Sequence, residues 1–300
     1  MKRCNRMMVS TLSVAMGLAL SAGAAAAQDC TTKIGAVLPT SVDWGRPIAE
    51  TAQFVVDQVN EAGGVAGCNV EMVLRDSQVD PKVGVDAAKA LVDLDGVQVL
   101  LGAVSSGVSM PILTSVTVPG NVLQMSCCSS STAFTKLAEE GKTKGLFFRT
   151  FATTGVQAAV GAKVAKDQGY KSVAILYKND DWGQDLQNLI AKDFEALGIT
   201  VTSATAINDG QPSYRAEVTS ALSGNPDALY LGLYPNEGTA AVREWLSLGG
   251  TQNMIMANSL KSDEFRDNVG LQYLGKAFGT DTASPRVASA DSFVAAYEAK

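Results

Sequence analysis

Residues 33–63 read KIGAVLPTSVDWGRPIAETAQFVVDQVNEAG, and residues 171–198 read KSVAILYKNDDWGQDLQNLIAKDFEALG. Each stretch begins with an apolar run typical of a buried strand. A short polar loop then leads to the triplet Asp-Trp-Gly and to a helical pattern that a glycine closes. Trp44 and Trp182 therefore hold the same place in two copies of one strand–loop–helix unit. This repeat predicts two similar lobes, each beginning with that unit.

Apolar strand-like runs alternate with helical patterns along the rest of the chain. Strands are predicted at 33–38, 70–74, 97–101, 122–125, 147–150, 172–177, 200–204, 228–233 and 253–257. Helices are predicted at 47–61, 83–94, 155–168, 184–197, 214–222, 239–248 and 290–300. This alternation predicts an α/β fold in which each lobe is a parallel sheet with helices on both faces.

The first 27 residues have the pattern of an export signal. Three basic residues precede an apolar run, and Ala25-Ala26-Ala27 supplies the small residues of a cleavage site. We expect 1–27 to be a signal peptide and the mature protein to be soluble and periplasmic. A lipid anchor is disfavoured because Cys30 follows the polar pair Gln28-Asp29 rather than a small apolar run.

Composition excludes several functions. The chain has no histidine, 24 Lys plus Arg and 30 Asp plus Glu, for a formal net charge of −6. An acidic surface argues against nucleic acid or an anionic membrane as a partner. Without histidine, Ser-His-Asp or Cys-His catalysis and His-ligated zinc are excluded. We therefore expect no catalytic residue, no cofactor and no metal, and hence no enzyme.

Four cysteines follow the predicted signal peptide. Cys30 and Cys68 each precede a strand-like run, and their sulfurs would meet if those strands were parallel neighbours. We expect a Cys30–Cys68 disulfide in an oxidising compartment. Cys127 and Cys128 could form a vicinal disulfide, act as a redox pair or be two small buried residues. We favour the last, because free cysteine is commonly buried and a redox pair would lack the C-x-x-C spacing.

Several short motifs follow one another in a characteristic order: GAVLP at 35–39, NEAGGVAG at 60–67, DSQVDP at 76–81, LG at 101–102, the serine-rich run at 126–135, FRT at 148–150 and YKNDDWG at 177–183. Their order resembles the periplasmic branched-chain amino-acid-binding proteins of bacterial ABC importers, from about residue 31 to the end. The resemblance implies the type I periplasmic-binding fold, in which two α/β lobes joined by a hinge close on a ligand. It implies one lobe of 28–150 plus about 282–300, a second of 151–281, and a family fold whose C-terminal part is missing after Lys300.

The resemblance also implies ligand-binding residues in the first lobe. Ser106 matches a serine that holds the ligand α-carboxylate, and Ser105 begins a helix beside it. The loop that follows the fourth strand contacts the ligand head group through Cys128 (carbonyl), Ser129 and Ser130 (hydroxyl and N–H). Taken alone, Ser106 is equally typical of a helix N-cap, and the serine run is typical of a polar loop.

Three aromatic residues match positions that cover the ligand in the family: Trp44, Trp182 and Tyr234. Aromatic side chains in a cleft supply a large apolar contact with little loss of side-chain entropy. The alternative for Trp44 and Trp182 is packing on their own helices, and for Tyr234 it is the ordinary core.

One position departs from the family. The acid that pairs with the ligand α-ammonium falls near Ser259, where this sequence has no acid. Glu237 and Asp263 are the candidate substitutes. An unpaired buried ammonium is costly, so the solute remains open between an amino acid, an amide, a small carboxylate and an aromatic acid.

Two functions are compatible with the resemblance. The first is a monomeric importer-associated binding protein that captures a small solute and delivers it to an ABC permease in the inner membrane. The second is a ligand-sensing module of the same fold for an amide or aromatic acid. We favour the first, because the chain carries its own signal and no attached transmembrane segment.

Overall fold

The computed structural model describes residues 30–282 and 288–299. The predicted signal peptide at 1–27 lies outside the described residues. The strands of the first half, in chain order, are β1 (Thr31–Leu38), β2 (Asn69–Asp76), β3 (Val99–Gly102), β4 (Leu123–Ser126) and β5 (Phe147–Arg149). They alternate with the helices α1 (Arg46–Glu61), α2 (Pro81–Asp93), α3 (Ser106–Ile112) and α4 (Ala133–Glu139). We call this half lobe 1.

The second half repeats the arrangement and is called lobe 2. Its strands are β6 (Ser172–Lys178), β7 (Thr200–Ile207), β8 (Ala228–Gly232), β9 (Met254–Met256) and β10 (Ala277–Gly279). Its helices are α5 (Thr154–Asp167), α6 (Asp181–Ala196), α7 (Arg215–Leu222), α8 (Pro235–Ser247) and α9 (Asp263–Val269). A further helix, α10 (Ala288–Glu298), ends the described chain.

Both sheets are parallel and have five strands. Their orders are β2-β1-β3-β4-β5 in lobe 1 and β10-β9-β8-β6-β7 in lobe 2. The predicted α/β class is confirmed, and all nine predicted strands are present. The tenth strand, β10, was missed because it has only three residues and a largely exposed surface, so it leaves no apolar run in the sequence.

Alternation along β6, an interior strand of the lobe 2 sheet, shows why helices cover both faces of that sheet. Successive side chains of a strand point to opposite faces. Val173 and Ile175 pack with Ile190 of α6, whereas Ala174 and Leu176 pack in a separate cluster on the other face. Because both sets are fully buried, this strand reads as one continuous apolar run.

The two Asp-Trp-Gly triplets have the same structural role. Each places a glycine where the start of a helix passes against the end of the preceding strand. A Cβ on Gly45 would collide with the carbonyl oxygen of Pro39, and a Cβ on Gly183 would collide with the carbonyl oxygen of Lys178. Each triplet therefore positions its tryptophan just beyond the carboxyl end of its lobe's first strand, where ligands of such sheets bind.

The last described helix returns to lobe 1. The ring of Phe54 in α1 makes edge-to-face contacts with Phe293 and Tyr297 of α10, at centroid distances of 5.6 and 5.2 Å. None of the helices in the described part of the chain combines the length and the apolar character needed to cross a membrane.

The four described cysteines form two close pairs. Strands β1 and β2 are parallel neighbours in which Thr31 pairs with Asn69, so Cys30 and Cys68 face each other one residue earlier. Their sulfurs are 2.09 Å apart and their Cα atoms 4.8 Å apart, within the range of disulfide geometry. Cys127 and Cys128 are also paired and are only half-buried. The structure therefore does not support their interpretation as two free, buried residues.

Candidate functional site

A cavity of about 190 Å³ lies between the carboxyl ends of the two sheets. It is smaller than the roughly 300–1,000 Å³ of pockets for drug-sized ligands, so it suits a small solute. Its wall is formed by Trp44, Ile48, Val104, Ser106, Cys128, Ser130, Phe151, Trp182, Tyr234, Asn258, Ser259, Lys261 and Ser262.

Six of the eight residues expected to bind ligand line this cavity: Trp44, Ser106, Cys128, Ser130, Trp182 and Tyr234. Ser105 and Ser129 do not line it. The Ser105 hydroxyl donates to Asp180, and the Ser129 hydroxyl lies within hydrogen-bond distance of the Ala103 and Val104 carbonyls. In the structure, both side chains make their hydrogen bonds to neighbouring groups of the protein.

Ser106 begins α3 and its side chain is almost fully buried. Its Oγ accepts a hydrogen bond from the N–H of Ser131 at 3.2 Å. A hydroxyl has one hydrogen to donate, and this contact leaves that hydrogen free. Ser106 can therefore donate to an anionic group in the cavity.

Hydrogen bonds from neighbouring residues fix the conformation of the serine-rich loop of lobe 1. The Ser126 hydroxyl donates to the Ala103 carbonyl at 2.6 Å and accepts the N–H groups of Cys128 and Ser129. The guanidinium of Arg149 donates to the carbonyls of Ser129 and Ser131, at 3.3 and 2.7 Å. The loop is thus a preformed surface, which reduces the ordering cost of binding.

Three aromatic rings form a continuous stack across the lobe boundary. Tyr234 of lobe 2 lies between Trp44 of lobe 1, at a centroid distance of 5.5 Å, and Trp182 of lobe 2, at 5.1 Å. Both pairs have interplanar angles of 18°. Trp44 comes from lobe 1 and Tyr234 from lobe 2. Their rings can stack only while the two lobes are together, so this contact requires a closed arrangement.

Asp180 joins the same two lobes through hydrogen bonds. Its Oδ1 accepts the N–H groups of Trp182 and Gly183 and so caps α6. Its Oδ2 accepts the Ser105 hydroxyl of lobe 1 at 3.2 Å, and the Tyr234 hydroxyl donates to Ser105 at 3.0 Å. Burial raises the pKa of the Asp180 carboxyl, although the Gly183 N–H and Ser105 oppose that shift. The repeat gives little sign of this role, because the first copy has valine at the equivalent position.

A second carboxylate spans the boundary. Asp185 of α6 accepts the N–H of Thr132 at 2.7 Å and the Thr132 hydroxyl at 2.6 Å. It also accepts the hydroxyl of Thr154, which begins α5. Sequence reasoning missed Asp185, since an acid on an amphipathic helix is ordinarily solvated and its partner is 53 residues away.

The lobe 2 wall around Ser259 has no aspartate or glutamate among its described lining residues. The Ser259 hydroxyl donates to the Leu233 carbonyl at 2.6 Å. The neighbouring Lys261 also lines the cavity, and its ammonium is 2.6 Å from the Asp281 carboxylate. The hydrogen bond to Asp281 raises the pKa of Lys261.

Neither candidate substitute for the missing acid faces this cavity. Glu237 is buried in the first turn of α8, where its carboxylate accepts from the ammonium of Lys178 at 3.2 Å. Burial raises the pKa of Glu237 to about 7. Asp263 lies at the start of α9 and pairs with Arg266 at 3.0 Å. Both acids are therefore engaged within lobe 2.

Comparison with known proteins agrees with this architecture. A family model described as periplasmic binding protein matches residues 31–300. A Leu/Ile/Val-binding protein of Rhizobium johnstonii is 31% identical over 97% of this chain and 77% of its own length. The chain belongs to the periplasmic branched-chain amino-acid-binding protein family.

Solved structures of binding proteins are similar to this fold. A leucine-binding protein of Thermotoga maritima is 25% identical with a TM-score of 0.78, covering 89% of this chain and 75% of that one. A solute-binding protein of R. palustris in complex with 4-hydroxybenzoate is 21% identical with a TM-score of 0.68, covering 80% and 65%. The chain is therefore a substrate-binding protein of the branched-chain amino-acid importer type.

The Asp185 contacts generate a test of how the lobes of this binding protein are held together. Asp185→Asn should weaken the contact with Thr132, because an amide loses the carboxylate's charge and one acceptor oxygen. A hydrogen bond to a charged group contributes about 1.5–3 kcal/mol, so the ratio of closed to open protein should fall about tenfold or more. Small-angle scattering of the protein carrying the solute that co-purifies with it should give a larger radius of gyration for this variant than for the wild type.

The matched control is Glu195→Gln, which makes the same chemical change on an exposed position of the same helix. It should leave the radius of gyration at the wild-type value. Identical scattering from both variants would mean that Asp185 does not stabilise the closed arrangement.

Proposed function

We propose that this protein captures an amino acid or a related small carboxylate or amide in the cavity between its lobes and delivers it to an ABC permease. The observation that carries the proposal is that side chains from both lobes converge on one small cavity. In this proposal the protein acts as a soluble periplasmic monomer, after removal of residues 1–27.

Lobe 1 is proposed to bind the solute first. The Ser106 and Ser130 hydroxyls and the Cys128 carbonyl lie on its preformed wall and offer hydrogen bonds to a polar head group. Lobe 2 then adds Trp182 and Tyr234, which supply apolar surface once the lobes meet. Capture by hinge closure follows from this division, because half of the wall is contributed by each lobe.

The lobe boundaries of this proposal are those expected from the sequence. Lobe 1 takes 28–150 and a C-terminal part from about 282, and lobe 2 takes 151–281. The contact of α10 with Phe54 of α1 supports assignment of that C-terminal part to lobe 1.

The proposed role of Ser106 can be tested with the solute that mass spectrometry identifies in the purified protein. Ser106→Ala removes a hydrogen bond to a charged group, worth about 1.5–3 kcal/mol, so calorimetry should show about ten- to a hundred-fold weaker binding. Ser115→Ala is the matched control, because Ser115 is exposed on the turn that continues α3. Binding within twofold of wild type for both Ser106→Ala and Ser130→Ala would contradict the proposed site.

The proposal includes a Cys30–Cys68 disulfide that ties the start of β1 to the start of β2. Non-reducing peptide mapping of periplasmic protein should recover the two cysteines in one linked peptide pair. Their replacement by serine should lower the free energy of unfolding by about 2–4 kcal/mol, since the bond restricts the unfolded chain. Recovery of both as free thiols would refute the pairing.

A further inference from the structure

The charges around the cavity discriminate between two kinds of solute. We propose that the cavity selects a small carboxylate that has no ammonium group on its α-carbon, in preference to a free amino acid. This inference rests on the proposed function, since it concerns the solute of the same cavity.

The side chains on the cavity wall offer a solute several hydrogen-bond donors. The Ser106 hydroxyl keeps its hydrogen available because its oxygen accepts from Ser131. Ser130 presents a second hydroxyl from the same lobe. Lys261 lines the cavity from the opposite lobe, and its ammonium donates one hydrogen to Asp281, which leaves two more donors and no acceptor. An ionised carboxylate is acceptor-only, so it complements this set.

The other polar side chains of the lobe 2 wall use their acceptor oxygens, or in Ser259 the hydroxyl hydrogen, within the protein, whereas the Asn258 NH2 group and the Ser262 hydroxyl keep hydrogens to donate. Asn258 accepts from the side-chain amide of Gln157 at 2.7 Å. Ser259 donates to the Leu233 carbonyl, and the Ser262 oxygen accepts the N–H of Phe265 at 3.0 Å as the cap of α9. These contacts leave Lys261 as the charged group that this wall offers a solute.

Three carboxylates lie near the cavity without lining it, and each accepts hydrogen bonds from donors of the protein. Asp180 accepts from Ser105 and two backbone N–H groups, and Asp185 accepts from Thr132 and Thr154. Asp281 accepts from Lys261 and lines the two neighbouring cavities. Among the described residues, the wall itself contains no aspartate or glutamate.

An α-ammonium in this cavity would therefore meet neutral hydroxyl and carbonyl oxygens and Lys261, but no lining carboxylate among the described residues. Removing an ion from water without a charged partner is unfavourable. The same solute without its ammonium keeps the carboxylate contacts and avoids that cost. We expect a discrimination of about tenfold or more, the value of one hydrogen bond to a charged group.

The test compares compounds that differ only at the α-carbon. Calorimetry should measure leucine against 4-methylpentanoate, and phenylalanine against 3-phenylpropanoate, with the full chain freed of any solute that co-purifies. In at least one pair the acid without the ammonium should bind at least tenfold more tightly. The neutral 4-methylpentanamide should bind more weakly than 4-methylpentanoate.

The possible results separate this inference from the proposed function. Equal or tighter binding of the amino acids would overturn the inference and leave solute capture intact. Tightest binding of the amide would also overturn it, since the carboxylate charge would then be unimportant. Failure of all five compounds to bind would overturn both.

A variant tests the part played by Lys261. Lys261→Glu replaces the ammonium on the wall by a carboxylate, so the preference for the acid over its amino-acid partner should fall at least tenfold. Lys276→Glu makes the same change of charge on an exposed position of lobe 2 away from the cavity and should keep the wild-type preference. An unchanged preference in Lys261→Glu would overturn the electrostatic argument.

Discussion

A carboxylate buried at the boundary between two lobes needs hydrogen-bond donors, and Asp180 has donors in both lobes. One carboxylate oxygen of Asp180 caps α6 within lobe 2, and the other accepts a hydrogen bond from the Ser105 hydroxyl of lobe 1. If the lobes separate, that second oxygen loses the Ser105 donor, so the contact with Ser105 belongs to the closed arrangement alone. Two other contacts also join the lobes and so require the closed arrangement. They are the hydrogen bond between Asp185 and Thr132 and the stacking of Tyr234 on Trp44. The cavity exists because these contacts bring its two walls together.

The side chains of the two walls differ, and the difference supports the proposed order in which lobe 1 binds the solute before lobe 2 closes on it. Arg149 and Ser126 hold the serine-rich loop of lobe 1 from below, so its hydroxyls are positioned before a solute arrives. Lobe 2 supplies the rigid rings of Trp182 and Tyr234, which cover apolar surface at little cost in side-chain entropy. Because lobe 2 also carries Lys261, its wall contributes charge as well as cover.

The sequence was sufficient for those features that depend on local pattern. Nine strands were readable because each contains an apolar or β-branched run, most clearly where the strand is buried on both faces, as in β6. The repeated Asp-Trp-Gly triplet located both tryptophans because its glycine is required where a helix starts against a strand end. The short strand β10 has no such run and was missed. The cavity-lining positions of Ser106, Ser130 and Tyr234 were reached through resemblance, since a serine or tyrosine alone has many uses.

Other parts of the site depend on contacts between distant residues, which no local pattern encodes. Ser105 was expected to face the ligand, but its partner is Asp180, 75 residues further along the chain. Glu237 was a candidate partner for an ammonium, but Lys178 reaches it from β6. Lys261 drew no attention because an exposed lysine is usually a solvated surface residue. Its position on the cavity wall follows only from the folding of both lobes.

The central claim is that lobe 1 holds the head group of the solute while lobe 2 encloses it. A crystal structure of the protein with bound 4-methylpentanoate tests this most directly. We expect the carboxylate oxygens within about 3 Å of the Ser106 and Ser130 hydroxyl oxygens, with the Ser105–Asp180 hydrogen bond intact. A carboxylate bound away from both serines, or a bound solute between lobes that remain apart, would contradict the account.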